Sequence, residues 1–118
     1  MSTTTLTTAN FDKTAAGEGI VLVDFWASWC GPCRSFAPVY DRASAKHEDI
    51  VFGKVDTEAE QDLAARFEIS SIPTIMAIRD GVIVFAQPGA LPEQSLESLI
   101  EQVRALDMED VRSRLATS

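Results

Sequence analysis

A chain of 118 residues, 46% of them hydrophobic, is one domain's worth of sequence and can bury its own core, so it needs no disulfide staple. Eighteen acidic against ten basic residues give a formal charge of −8, which argues against nucleic acid and anionic membrane surfaces as partners. The opening stretch MSTTTLTTANF has neither a basic start nor a long apolar run, and no later segment approaches membrane-spanning length, so an intracellular, cytoplasmic chain is expected.

Before residue 20 the pattern predicts only a weak strand and a short helix. From Ile20 to Ala27, IVLVDFWA is almost continuously apolar and rich in β-branched and aromatic residues, as in a strand covered on both faces; only Asp24 interrupts it. After Gly31 and Pro32, the residues Phe36, Val39, Tyr40, Ala43 and Ala45 predict a helix to about Lys46, bent at Pro38. IVFGKVD at 50–56 is a second strand, and Thr57 is expected to cap a helix running through about Phe67. PTIMAIRD, the Asp80-Gly81 turn and VIVFAQP then form an antiparallel hairpin. Leu96, Leu99, Ile100 and Val103 share one face of a closing helix that starts near Pro92. Residues 1–106 thus make one domain, and 107–118, where Val111 and Leu115 lie four apart, are an extension that is either a short helix or a frayed tail. This alternation predicts an α/β fold: a mixed sheet of about five strands, antiparallel at the hairpin edge, flanked by about four helices.

Both cysteines fall in WCGPC, where the first strand hands over to its helix. Cys30 at the helix start faces unpaired amide N–H groups and the positive end of the helix dipole, which favour a thiolate. Cys33, three residues on, lies on the same side and is placed to attack a mixed disulfide formed at Cys30. Gly31 leaves the approach open, and Pro32 is tolerated where no amide donor is needed. Cys30 is therefore expected to be the accessible thiol and Cys33 the buried one. Three other uses of the pair compete with dithiol chemistry. A permanent disulfide suits an oxidising compartment, zinc wants four ligands where the chain offers two cysteines and the single His47, and an iron–sulfur cluster would have to bridge two chains. Asp24 in a doubly covered strand should have its pKa raised by burial, and the residues alone leave it either a satisfied core carboxylate or a catalytic one.

VDFWASWCGPC, SSIPTI, the lysine of FGKVD and PGAL, in this order and spacing, resemble the thioredoxin family over roughly residues 4–105. The resemblance implies a thioredoxin fold and a lowered pKa at Cys30, thioredoxin being a known case of a depressed C-x-x-C thiol. It places Asp24 beneath Cys33, handling its proton through water, with Lys54 tuning Asp24. It makes Pro73 a cis proline facing the cysteines and gives the backbone of Ile72 to an extended substrate. Trp29, Gly31, Pro32, Ile72, Pro73, Gly89 and Ala90 match the family's flat apolar docking surface, and Trp26 matches a tryptophan close to the site.

The implied activity is reduction of disulfides in diverse proteins by a monomer that binds no cofactor or metal, recharged from NADPH by a flavoprotein thioredoxin reductase. A disulfide oxidase or isomerase is the competing enzyme, but such relatives usually carry histidine where this chain has Gly31-Pro32. A binding module or chaperone is disfavoured by the intact motif with Asp24. Two departures stand out: Pro88 precedes Gly89 where the family more often has an aliphatic residue or glycine, stiffening that edge, and the chain runs on past Leu106.

Overall fold

A computed structural model describes residues 3–117. Three parallel strands, β1 (Thr3–Thr5), β2 (Ile20–Trp26) and β3 (Val51–Asp56), join the antiparallel hairpin of β4 (Thr74–Arg79) and β5 (Val82–Pro88) in one sheet of order β1-β3-β2-β4-β5. The helices are α1 (Phe11–Ala15), α2 (Gly31–Lys46), α3 (Gln61–Arg66), α4 (Glu93–Ala105) and α5 (Met108–Thr117). The α/β reading holds, and α5 shows that the extension is helical.

β2 is central, and its unbroken apolar run follows from having both faces covered. Ile20 and Leu22 meet Phe36, Tyr40 and Ala43 of α2 and Leu96, Leu99 and Ile100 of α4. Val21, Val23 and Phe25 meet Phe11 of α1 and Leu63 of α3 on the other side. Each such side chain, fully buried, contributes roughly 1.5–3 kcal/mol. Strand alternation puts Asp24 on the Leu22 face, toward α2.

Gly53 in β3 is required by a close approach, because a Cβ there would overlap the side chain of Leu6. The hairpin turns through Asp80 and Gly81 at φ 52° and 82°, the left-handed region that Asp-Gly readily enters, and the Asp80 carboxylate accepts from the Gly19 amide at 2.8 Å.

One local expectation is corrected. α3 begins at Gln61, not after Thr57: the Asp56 carboxylate accepts from the Glu58 amide at 2.9 Å, and the Thr57 hydroxyl turns back to the Trp26 carbonyl at 3.0 Å, so a turn precedes the helix. In α2, which continues past Pro38, Ser44 is buried and Ala45 exposed; the Ser44 hydroxyl donates to the Asp41 carbonyl at 2.6 Å, which offsets the cost of burying it.

Candidate functional site

The cysteines sit where β2 ends at the sheet centre. Cys30 is the N-cap of α2, with extended backbone at φ −86° and ψ 113°, and its Sγ accepts from the Cys33 amide at 3.2 Å. Pro32 occupies the first turn, as the helix start allows. Arg34 closes the approach loop from outside by donating to the Ser28 carbonyl at 2.8 Å. The two cysteines are joined in a disulfide, their Cα atoms 5.2 Å apart, and Ala27, Trp26 and Ile72 pack around them.

In the disulfide form Cys30 and Cys33 are almost equally covered, 4% and 3% exposed, under the same apolar collar. What separates them is position. Cys30 Sγ lies 3.7 Å from the Ile72 carbonyl oxygen, at the rim of the pair, while Cys33 is inside the helix and lines a cavity of about 100 Å³ with Trp26, Ala27, Arg34, Ala37 and Lys54.

Asp24 is 1% exposed, and neither carboxylate oxygen has a hydrogen-bond partner among the described residues. Burial pushes its pKa up to about 7, and the charge of Lys54 pulls it partly back. Lys54 is the residue opposite Asp24 in the parallel register of β2 and β3. It is half-buried, with Nζ 5.2 Å from the centre of the Trp26 ring, so its charge acts on Asp24 without a direct bond.

The Ile72–Pro73 peptide is cis, with Pro73 buried and Ile72 half-buried beside the sulfurs. The Pro73 carbonyl accepts from the Gly89 amide at 2.8 Å, which ties the loop after β5 to the proline loop and supplies a donor just past Pro88. Trp29 is 66% exposed, and Gly31, Pro32, Gly89 and Ala90 are exposed as well. Tyr40 is the site-related residue that sequence reasoning passes over as core: its hydroxyl donates to the Gly53 carbonyl, one residue before Lys54. The only sequence signal is a hydroxyl two helical turns beyond Cys33, on the same face. Among the described residues, no group of three His, Cys, Asp or Glu side chains is placed to hold a metal ion, and no helix is long and apolar enough to cross a membrane.

A disulfide at a helix start, facing a buried carboxyl pushed up to about 7, is the arrangement that suits dithiol–disulfide exchange on an α/β sheet. The family model described as Thioredoxin matches residues 2–102. A Streptomyces coelicolor protein described as "Putative thioredoxin 2" is 57% identical over 98% of this chain and 86% of its own length, and the thioredoxin of Alicyclobacillus acidocaldarius is 39% identical over 86% and 98%. The solved structure of Plasmodium falciparum thioredoxin superimposes with a TM-score of 0.77 at 35% identity, covering 83% of this chain and 96% of that one. The chain belongs to the thioredoxin family. It is a thiol–disulfide oxidoreductase that reduces protein disulfides through Cys30 and Cys33.

Proposed function

We propose that Cys30 is the attacking sulfur, Cys33 the resolving one, and Asp24 the group that takes the Cys33 proton. In the dithiol form the Cys30 thiolate attacks one sulfur of a substrate disulfide; a Cys30–substrate disulfide forms, and the first substrate thiolate leaves and is protonated. Cys33 then gives its proton to Asp24 and attacks Cys30 Sγ, displacing the second substrate sulfur as a thiolate that is protonated by Asp24 or water, and leaving Cys30–Cys33 oxidised. Two electrons pass to the substrate. The observation that carries this reading is a cysteine pair at the start of α2 with an unpaired, buried carboxyl facing the same helix, raised to about 7 where it can both take and return a proton at neutral pH. Lys54, by its charge, keeps that carboxyl from rising further.

Ile72 and Pro73 support an extended substrate beside Cys30, and Trp29, Gly31, Pro32, Gly89 and Ala90 form an exposed rim suited to protein partners of varied sequence. The partners are disulfide-bearing proteins and a flavin-dependent thioredoxin reductase that returns the site to dithiol with electrons from NADPH, and the chain acts as a cytoplasmic monomer. One structural relative is described in connection with thiol resolution in yeast mitochondrial 1-Cys peroxiredoxin via glutathione and thioredoxin systems, at a TM-score of 0.79 and 28% identity over 86% of this chain and 95% of that one. Covalent trapping tests the assignment. Cys33→Ser should accumulate partners in adducts that dithiothreitol releases, and Cys30→Ser should trap almost none; trapping by Cys30→Ser alone would reverse the roles.

A further inference from the structure

α2 links the cysteine pair to the strand that carries Lys54. Cys33, Phe36 and Tyr40 follow one another along its buried face. Tyr40 has no exposed surface; its ring lies 5.5 Å from that of Phe36 and 5.2 Å, edge-on, from that of Phe52. In that apolar setting a hydroxyl is costly unless bonded, and phenylalanine would fill nearly the same space. The hydroxyl does have a partner: it donates to the Gly53 carbonyl at 2.8 Å. Parallel register then sets Gly53 beside Val23 and the next residue, Lys54, beside Asp24. A side chain of the thiol-bearing helix thus grips the peptide that leads into the one cation whose charge lowers Asp24. Tyr40 and Asp24 also lie close enough to sense each other: burial first, then the Asp24 carboxylate, pushes the Tyr40 phenol well above its ordinary value.

We infer that Tyr40 is a positioning residue for the proton step: by holding the Gly53 peptide against α2, its hydroxyl fixes the reach of the Lys54 ammonium toward the Asp24 carboxyl. The catalytic consequence rests on the reading of Asp24 as the proton carrier; the positioning itself does not. Among the described residues, the charged or titratable groups on this side are Lys54 and Asp56 from β3, Cys33 and Tyr40 from α2 and, beside Ile20 at the other end of the sheet, Arg79 from β4, with Arg34 lining the cavity that Lys54 and Cys33 share. Nearer Asp24, β4 contributes Ile75 and Ala77, and α4 buries Leu96, Leu99, Ile100 and Val103, none of which titrates. Lys54 lowers Asp24, so loosening Lys54 raises it.

The test follows the Asp24 carboxyl carbon by NMR through a pH titration of the full chain, oxidised so that no thiol titrates with it. Four proteins are compared: wild type, Tyr40→Phe, Lys54→Gln and the double variant. Tyr40→Phe should raise the Asp24 midpoint by about half a pH unit in the wild-type background and by clearly less beside Lys54→Gln, since the two act along one route. An unchanged or lowered midpoint, or an equal shift in both backgrounds, overturns the inference. Tyr40→Met, which fills the space without a hydroxyl, takes the place of Tyr40→Phe should that variant fold poorly, with the same shifts expected. Disulfide-reduction rates of Asp24→Asn, measured in parallel, judge the proton-carrier reading separately, because the NMR midpoints decide on Tyr40 whatever those rates are.

Discussion

Near the start of α2 a carboxyl, Asp24, is buried without a hydrogen-bond partner and pushed up to about 7, whereas just beyond its far end Asp49 takes two bonds from Arg104, at 2.7 and 3.0 Å, and is pulled down to about 2. The far end is a hydrogen-bonded network. Arg104 can only donate, so His47 Nδ1 accepts from it at 3.1 Å, and His47 Nε2 is left to donate to Glu97 at 2.7 Å. Those contacts join the α2 end to α4, and Arg79 adds bonds from its guanidinium to the Val103, Arg104 and Leu106 carbonyls at the α4 terminus. Carboxylates held by cationic or imidazole donors make a seam, even though one Glu97 oxygen there is buried without a hydrogen-bond partner among the described residues. Desolvated charge left without partners makes a group that exchanges a proton near neutrality, and it lies at the end of α2 that carries the cysteines.

The largest expected effect is at Asp24. Its folded pKa lies above the unfolded value of about 3.9, so the folded protein holds the proton more tightly and loses stability as pH rises from about 4 to about 7, then levels off. The displacement of roughly three units corresponds to on the order of 4 kcal/mol. In urea melts at pH 8, Asp24→Asn should be more stable than wild type by an amount of that order, with most of the difference gone at pH 4. A gap independent of pH would erase the contrast between the two ends. The same variant should slow disulfide reduction at neutral pH.

Removing residues after Leu106 should do less. Met108, 7% exposed, is the buried anchor of α5, and its loss should cost about 1–3 kcal/mol in the same melts. Reductase activity should stay within about twofold, under 1 kcal/mol in the barrier, since α5 follows the network end of α4. A tenfold loss would make the far end part of the site.

Asp49→Asn should do least. Asp49 is pulled below its ordinary value, so what it contributes is present above about pH 4 and is lost as pH falls toward 2. Its side chain is 65% exposed, so solvent and salt screen the pair. The urea midpoint at pH 7 should barely move in 0.15 M salt and should move more at low salt, with activity unchanged. A large shift in high salt would mean that the network is not screened as its exposure requires.

How much is legible in the sequence depends on the range of the interaction. The strand at Ile20–Trp26, the Asp80-Gly81 turn and the helix start at Cys30 rest on backbone preferences among adjacent residues, and the structure keeps all three. Asp24 is conspicuous as a lone acid in an apolar run, because burial of that run follows from its composition. Thr57 as a cap fails where the neighbouring Asp56 side chain makes a local hydrogen bond that periodicity does not register, and the burial of Ser44 beside Ala43 rests on a local bond of the same kind. Lys54 near Asp24 and Ile72 near Cys30, 42 residues apart, are implied by family resemblance and by no local pattern, and the Tyr40 hydroxyl aimed at Gly53 is implied by neither; the tertiary structure sets all three. Each of those depends on which strands neighbour one another and in what register, and that is settled by burying two apolar faces of one sheet at once, a condition no short stretch of this chain contains.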